Sequence, residues 1–570
     1  MKILGFYGQT NSDHDPAAVI LVDGKIVAAA EEERFIREKH AVGKFPLNAI
    51  EFCLKEAKLS PKDIDIVAIP WSQERDSRYV LPFFFRTFTF DPTRAWKTLV
   101  NFGKYTKATY ENINEILKKA GFEPSSTKIS FLSHHMAHAA SAYYFSGFED
   151  AAIMTLDGAG GFLSGIFASA KGNKIKILHE IIWPDSLGAF YSAFTEYLGF
   201  EPNDGEYKLM GMAPFGDALR VNFDGIITLK DKLFKVQDGY FYGNPRRRRY
   251  KDSVGYSKKL VERFGPPREG DALEPKYANI AAAAQKKFEE AAIYMMERHL
   301  GSELKRHGNL CFAGGCALNV TLNRKLISHP LVKKLWVQPA SSDSGLALGA
   351  AAYAAVLSGD KVQKMTHAYY GPAYSNKEIE DVLRFTSYKY KKCTSISDEV
   401  AHLLSKGEVV AWFQGKMEWG PRALGARSIL ANPSIGGMKD KINEIIKFRE
   451  PWRPFCPSIL REYAYEIFET KHDSPFMTFS FAVRAEWRLR IREVVHVDNT
   501  ARPQFVDKET APVYYDMIKR FYERTKVPCV LNTSLNRRGE PVVCSPKDAV
   551  NMFENSGLRY LAIGDFLVEK

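Results

Sequence analysis

A strand–loop–strand–turn–strand pattern at the start of the chain returns about 150 residues later, and no other sequence feature constrains the fold as strongly. The first copy runs KILGFYG (2–8), a polar loop, AAVILV (17–22), the turn Asp23-Gly24 and KIVAAA (25–30). The second runs AAIMTL (151–156), the loop Asp157-Gly158-Ala159-Gly160-Gly161, FLSGIFAS (162–169), the turn Gly172-Asn173 and KIKILHEII (174–182). Each copy places a small or acidic loop after its first strand. Two such copies imply a domain made of two related halves.

Length and composition set the frame. A chain of 570 residues has room for about two to four domains. Hydrophobic residues make up 45% and charged residues 26%, an ordinary globular balance. No uninterrupted apolar run is long enough to span a bilayer, so no membrane contact is expected. The start, MKILGFYGQT, reads as a core strand and not as a signal peptide. The seven cysteines are scattered and contain no CxxC, which argues against a disulfide framework or zinc-thiolate site and fits a reducing cytoplasm. The net charge of +12 favours anionic partners: nucleotides, phosphates or nucleic acid. The dense run Arg246–Arg249 reads first as a solvated loop, with contact to an anionic acceptor or nucleic acid left open.

Residues 46–58 and 277–300 carry apolar residues at helical spacing. The second helix is expected to end near Gly301, before the buried strand NLCFAGG. Residues 82–110, rich in Phe, Trp and Tyr, are expected to pack as core, a lid over an acceptor pocket being the alternative. The pattern breaks at Ser358-Gly359-Asp360. The expected architecture is α/β: a duplicated ATP fold of the actin/sugar-kinase/Hsp70 class over residues 1–365, then a smaller domain over 366–570.

Four constellations carry chemistry. In Ser133-His134-His135-Met136-Ala137-His138, a helix puts His134 and His138 on one face, a spacing that suits one metal ion. A distant carboxylate would complete a two-His, one-carboxylate set favouring iron or a similar divalent ion, and Asp343 is the candidate. Its alternative is a helix N-cap. The loops at Asp157-Gly158 and Ala313-Gly314-Gly315-Cys316-Ala317-Leu318-Asn319 each follow a strand, and their glycines allow close approach to phosphate, an ordinary turn being the alternative for either alone. A third set joins Arg422, Lys447, Arg453, Arg502, Asn532 and Ser534 in Pro- and aromatic-flanked segments. Arginine forks and lysine suit a phosphorylated dianion; a salt-bridged surface is the alternative. Last, His14 sits beside Asp13 and Asp15 in the first polar loop, where it is either a bystander or a base toward an alcohol.

Together the motifs HDPAA (14–18), EEERF (31–35), Lys39-His40, HHMAHAASA (134–142), GEYKLMGMAP (205–214), FAGGCALN (312–319), GPRALGARSILA (420–431), KFREPWRPF (447–455) and LNTSLNRRGEP (531–541) resemble the O-carbamoyltransferases of antibiotic and nodulation-factor tailoring. The resemblance covers essentially the whole chain. It implies an N-terminal domain like the tRNA threonylcarbamoyl-transferase subunit, and a C-terminal YrdC-like domain that converts carbamoyl phosphate and ATP to carbamoyl-adenylate. The N-terminal site would pass the carbamoyl group to a hydroxyl of a small-molecule natural product. His14 is then the general base. Lys39, Gly315 and Asn319 are nucleotide contacts, and His134, His138 and Asp343 hold the metal, Fe2+ by preference, with Mg2+ accompanying ATP. Arg422, Lys447, Arg453, Arg502, Asn532 and Ser534 form the carbamoyl phosphate and nucleotide pocket. Ser12 stands where members taking basic acceptors carry an acidic residue, so a cationic acceptor is not implied. Nucleic acid is not an expected partner. Two other readings stay open. A tRNA-modifying enzyme predicts salt-sensitive tRNA binding. A non-catalytic nucleotide-binding scaffold predicts nucleotide binding without product.

Overall fold

The computed structural model describes residues 1–89, 91–230, 233–237, 239–241, 255–450 and 452–570; the Arg246–Arg249 run lies outside the described residues. Two compact units make up the chain. Unit 1 comprises Met1–Asp13, Ala17–Lys25 and Gly43–Lys364; unit 2 comprises His14–Pro16, Ile26–Val42 and Met365–Lys570. Two short N-terminal segments thus belong with the C-terminal unit.

The repeat seen in the sequence is present as sheet topology. Strands β1 (Lys2–Tyr7), β2 (Ala17–Val22), β3 (Lys25–Glu31), β4 (Ile66–Ile69) and β5 (Ile129–Phe131) form a sheet in the order β3-β2-β1-β4-β5. Strand β1 runs antiparallel to β2, with Lys2 opposite Val22, and parallel to β4; β4 is parallel to β5. Strands β6 (Asp150–Gly160), β7 (Leu163–Lys171) and β8 (Lys174–Ile182) form the second meander. A small hairpin follows, β9 (Ile227–Lys230) and β10 (Leu233–Val236). Then β11 (Asn309–Ala313) and β12 (Lys334–Val337) complete a sheet in the order β12-β11-β6-β7-β8. Here too the meander is antiparallel and the two later strands are parallel, so the halves share one topology. The turn between β2 and β3 needs left-handed backbone at Asp23 (φ +48°) and Gly24 (φ +73°), the conformation of a tight two-residue hairpin.

Small residues bring the site-bearing elements together. The helix Ser344–Leu357 (SGLALGAAAYAAVL) packs on the helix His134–Ser146 and on β1. A methyl group on Gly349 would collide with the Ala137 carbonyl, and one on Gly5 with the Ala347 carbonyl. Backbones approach this closely only where side chains are minimal.

Two expectations are corrected. The long amphipathic helix does not end near Gly301: it spans Pro275–His307 and stops at Gly308, whose left-handed φ of +78° closes it. A single glycine in a helix interior costs only about 1 kcal/mol, and 33 residues of packing absorb that. The aromatic stretch is core on one side only. Phe83 is buried on the helix Val80–Phe88 and Ala95 on the helix Pro92–Lys119, but Phe85 and Val100 are 68% and 67% exposed.

Unit 2 is built on an eight-stranded mixed sheet. Its members are β13 (Lys389–Lys392), β14 (Val410–Phe413), β15 (Arg427–Ala431), β16 (Cys456–Leu460), β19 (Gln504–Val506), β20 (Cys529–Ser534), β21 (Tyr560–Ile563) and β22 (Phe566–Glu569). Their order is β13-β22-β21-β14-β15-β20-β16-β19. The short strands β17 (Phe481–Ala482) and β18 (Thr500–Ala501) pair separately. Among the described residues no helix is long and apolar enough to cross a membrane.

Candidate active sites

In unit 1 the helix His134–Ser146 begins with its first candidate ligand, and His138 follows one turn later. Their Nε2 atoms face each other at 3.2 Å. Two carboxylates close the cluster: Asp157 from β6 and Asp343 at the head of the helix Ser344–Leu357. Asp157 Oδ2 lies 3.0 Å from His138 Nε2 and 3.8 Å from His134 Nε2; Asp343 Oδ1 lies 3.6 Å from both. All four donor atoms fall within 4.8 Å of one another. Asp343 holds the N-cap position without capping its helix. Its other oxygen accepts from the Tyr7 hydroxyl at 2.8 Å, which orients it.

The electrostatics describe a buried cluster in which Asp157 and Asp343 favour positive charge. Burial alone would lower the His138 pKa, but hydrogen bonds and charge from Asp157 and Asp343 outweigh it and push it up to about 9. Burial likewise opposes ionisation of Asp157, yet His134 and His138 hold its carboxyl well below the usual range. Two nitrogens and two carboxylate oxygens aimed at one point suit a borderline divalent ion. His135 does not take part. Its Nδ1 lies 3.1 Å from Thr155 Oγ1, and burial, reinforced by His134 and His138, pulls its pKa down to about 3.

The small-residue loops meet at this cluster. Gly158 N donates to Asp157 Oδ1 at 2.7 Å, and a methyl group on Gly315 would touch the same oxygen at 3.0 Å. Gly314 takes a φ of +89° against the Leu156 backbone, a position only glycine fits. Asn319 is buried; its Oδ1 caps the helix Val320–Ile327 through Leu322 N at 3.0 Å, and its Nδ2 donates to Gln285.

In unit 2, Lys447 closes the π-turn Asn443–Lys447. The Lys447 side chain is buried, and Nζ donates to the Ser534 carbonyl, to Asn536 O at 2.9 Å and to Asn536 Oδ1 at 2.8 Å. Burial pushes the ammonium well below the usual lysine range, and the charges of Arg449, Arg453 and Lys39 push it further. Basic groups this close around one buried point suit an anionic ligand. Arg453 is braced by Glu450 at 3.3 Å, and Arg502 Nε donates to Cys456 Sγ at 3.1 Å. Ser534 Oγ donates to Asn536 Oδ1 at 2.6 Å. Asn532 ties β20 to the loop at 420–425: its Nδ2 donates to Ala423 O at 3.0 Å and Ser458 Oγ at 2.9 Å.

That loop carries Arg422 and is held from several sides. The Glu418 carboxylate accepts from Leu424 N, Ala426 N and Arg427 N. Glu31 accepts from Gly420 N at 2.7 Å while Arg34 donates to Gly420 O at 3.1 Å. Arg427 is a structural peg: it is fully buried, lies over the Phe413 ring at 3.6 Å, and spends its guanidinium on four backbone carbonyls. Arg422 stays partly exposed.

Sequence reasoning placed Asp157 with the phosphate loops, whereas the structure also makes it a member of the histidine cluster. Lys39 acts on Lys447, in unit 2. Arg449, Asn536, Asp15 and His40 carried no role in the sequence. Their signal was adjacency: Arg449 and Asn536 lie inside the KFREPWRPF and LNTSLNRRGEP segments, and Asp15 follows His14.

Comparison with known proteins gives the class. Residues 2–352 match the carbamoyltransferase N-terminus and residues 401–570 the carbamoyltransferase C-terminus. The chain belongs to the carbamoyltransferase family and is an enzyme of that family. It is 36% identical to the uncharacterized protein sll1178 of Synechocystis, over 98% of this chain and 95% of the relative. It is 35% identical to the nodulation protein NolNO of Sinorhizobium fredii, over 98% of this chain and 79% of the relative. Among solved structures, HypF of T. kodakarensis aligns over 64% of this chain and 48% of its own length, at 15% identity and a TM-score of 0.29.

Proposed function

We propose that the enzyme is an ATP-dependent O-carbamoyltransferase with divided labour. Unit 2, read as a YrdC-like domain, makes carbamoyl-adenylate: water cleaves carbamoyl phosphate to carbamate and phosphate, and the carbamate oxygen then bonds to the α-phosphorus of ATP as pyrophosphate leaves. The N-terminal domain, residues 1–365 and read as actin-like, passes the carbamoyl group to the hydroxyl of a small-molecule acceptor. The observation that carries this reading is the buried Lys447 side chain, held by Asn536 and acted on by the charges of Arg449, Arg453 and Lys39, an arrangement that suits a phosphorylated dianion.

In the second step the acceptor oxygen forms a bond to the carbamoyl carbon. The bond from that carbon to the phosphate oxygen breaks, AMP leaves, and the hydroxyl proton goes to His14 and then to water. His134, His138, Asp157 and Asp343 would hold a divalent ion, Fe2+ in the family resemblance. When bound, that ion supplies Lewis-acid charge to carbonyl or phosphate oxygens. Gly158, Gly315 and Asn319 are the proposed nucleotide contacts of unit 1. In unit 2, Arg422, Arg502, Asn532 and Ser534 complete the proposed pocket around Lys447 and Arg453.

The test is pyrophosphate release from ATP, measured with and without carbamoyl phosphate. Wild-type enzyme should release pyrophosphate only with carbamoyl phosphate present. Arg453→Ala should lose it by roughly 10- to 100-fold, the range of one charge-assisted hydrogen-bonding group. Undiminished release by that variant would remove Arg453 from the pocket.

A further inference from the structure

Asp15 lies between two imidazoles. His14 Nδ1 is 3.1 Å from Asp15 Oδ2, and His40 Nδ1 is 2.7 Å from Asp15 Oδ1, so one carboxylate spends an oxygen on each ring. The three residues belong to one compact unit. Their backbone is held to match: Asp15 N donates to His40 O at 2.8 Å, and His40 N donates to Glu33 Oε2 at 2.7 Å. Asp15, His40 and Ala41 take φ values of +57°, +61° and +40°, left-handed conformations that non-glycine residues avoid. Three such residues in one small cluster are strain that the surrounding contacts must fix, a pattern typical of working sites.

Asp15, Glu33 and His40 could be taken for an ion site, since their donor atoms lie close together. Those atoms are already committed to one another. Both Asp15 oxygens accept from imidazoles, and Glu33 pairs with the His40 backbone and with Arg34 Nε at 3.3 Å. The cluster is an acid–base network.

We infer that Asp15 and His40 are positioning residues for the proposed base, with Asp15 fixing His14 as the Nδ1–H tautomer and His40 fixing Asp15. The inference rests on the carbamoyl-transfer reading and deepens it. A carboxylate accepts but does not donate, so the imidazole nitrogen facing it must carry the hydrogen. The ring's other nitrogen, Nε2, then has the lone pair that takes the proton of the acceptor hydroxyl. As carbon–oxygen bond formation proceeds, His14 becomes an imidazolium, and the Asp15 charge stabilises it without itself accepting the proton. His40 supplies a second N–H to the same carboxylate, which keeps Asp15 ionised and stops it rotating away. Burial would raise the Asp15 pKa, but the hydrogen bonds from His14 and His40 hold the carboxyl well below the usual range. Asp13 adjoins His14, and the packed segment 32–40 carries the charged groups Glu32, Glu33, Arg34, Arg37, Glu38 and Lys39.

The experiment needs no acceptor. The full chain, labelled with 15N-histidine, is titrated by NMR, with His14 and His40 assigned through His14→Ala and His40→Gln. The wild type should show both rings as Nδ1–H tautomers. In Asp15→Asn, an amide that can donate replaces the carboxylate. The His14 midpoint should then fall by at least about one pH unit, and its hydrogen should move toward Nε2. His40→Gln, which keeps a donor to Asp15, should shift the midpoint less than His40→Ala. A merely structural role would leave tautomer and midpoint unmoved in every variant that folds, and that result overturns the inference. Carbamoyl-phosphate-dependent pyrophosphate release from ATP is measured in parallel on the wild type. Its absence overturns the carbamoyl-transfer reading, and the role given to His14 with it, whatever the titration shows.

Discussion

Asp343 and Asp157 show how side chains of one type take different work from their surroundings. Asp343 stands where a helix would accept an N-cap, but its oxygens are turned to Tyr7 and to the two histidines. Asp157 lies near the end of β6, where the sequence reads as a glycine-rich loop, and its contact to His138 Nε2 is the shortest within the cluster. Both therefore belong to one donor set, and removing either should cost metal. Asp157→Asn, purified without chelator, should bind a divalent ion at least about 10-fold more weakly than the wild type. Metal analysis after dialysis measures this, and full retention would show that Asp157 is not a ligand. The histidine pair was legible in the sequence because one helical turn separates the two residues. The carboxylates were legible only as strand-end and helix-start residues, since what an aspartate faces depends on partners far away in the chain.

At the scale of elements, the cluster depends on close backbone packing. The helix Ser344–Leu357 delivers Asp343 and the helix His134–Ser146 delivers the histidines, and Gly349 lets the first press on the Ala137 carbonyl of the second. Gly349→Val should force these helices apart and destabilise the protein by about 1–3 kcal/mol, the usual range for overpacking. Denaturant unfolding reads the loss, and metal affinity should fall with it. An unchanged unfolding midpoint would contradict the packing described. Such dependence is invisible in the sequence, where SGLALGAAAYAAVL reads simply as an apolar helix. The duplicated meander was legible because strand period and turn chemistry are local. The aromatic helices misled for the opposite reason: Phe83 and Phe85 differ by two positions, and burial of one with exposure of the other follows from which face finds a neighbour.

At the scale of the molecule, the chain carries one site of each sign. Unit 1 holds a His/Asp cluster whose donors suit a cation, and unit 2 holds basic groups around Lys447 that suit an anion. The segment 26–42 belongs to unit 2 although its sequence lies among the strands of the first half, so Glu31 and Arg34 brace Gly420, and Lys39 acts on Lys447. The family resemblance makes Lys39 a nucleotide contact, and its segment belongs to unit 2. Division of labour is the central claim, and one measurement tests it most directly. Full-length enzyme is quenched after mixing with 13C-carbamoyl phosphate and ATP, and mass spectrometry is used to detect labelled carbamoyl-AMP. The account predicts the labelled adenylate in the wild type and in His138→Ala, and its loss in Arg453→Ala. No adenylate in the wild type, or loss in His138→Ala with retention in Arg453→Ala, would contradict it.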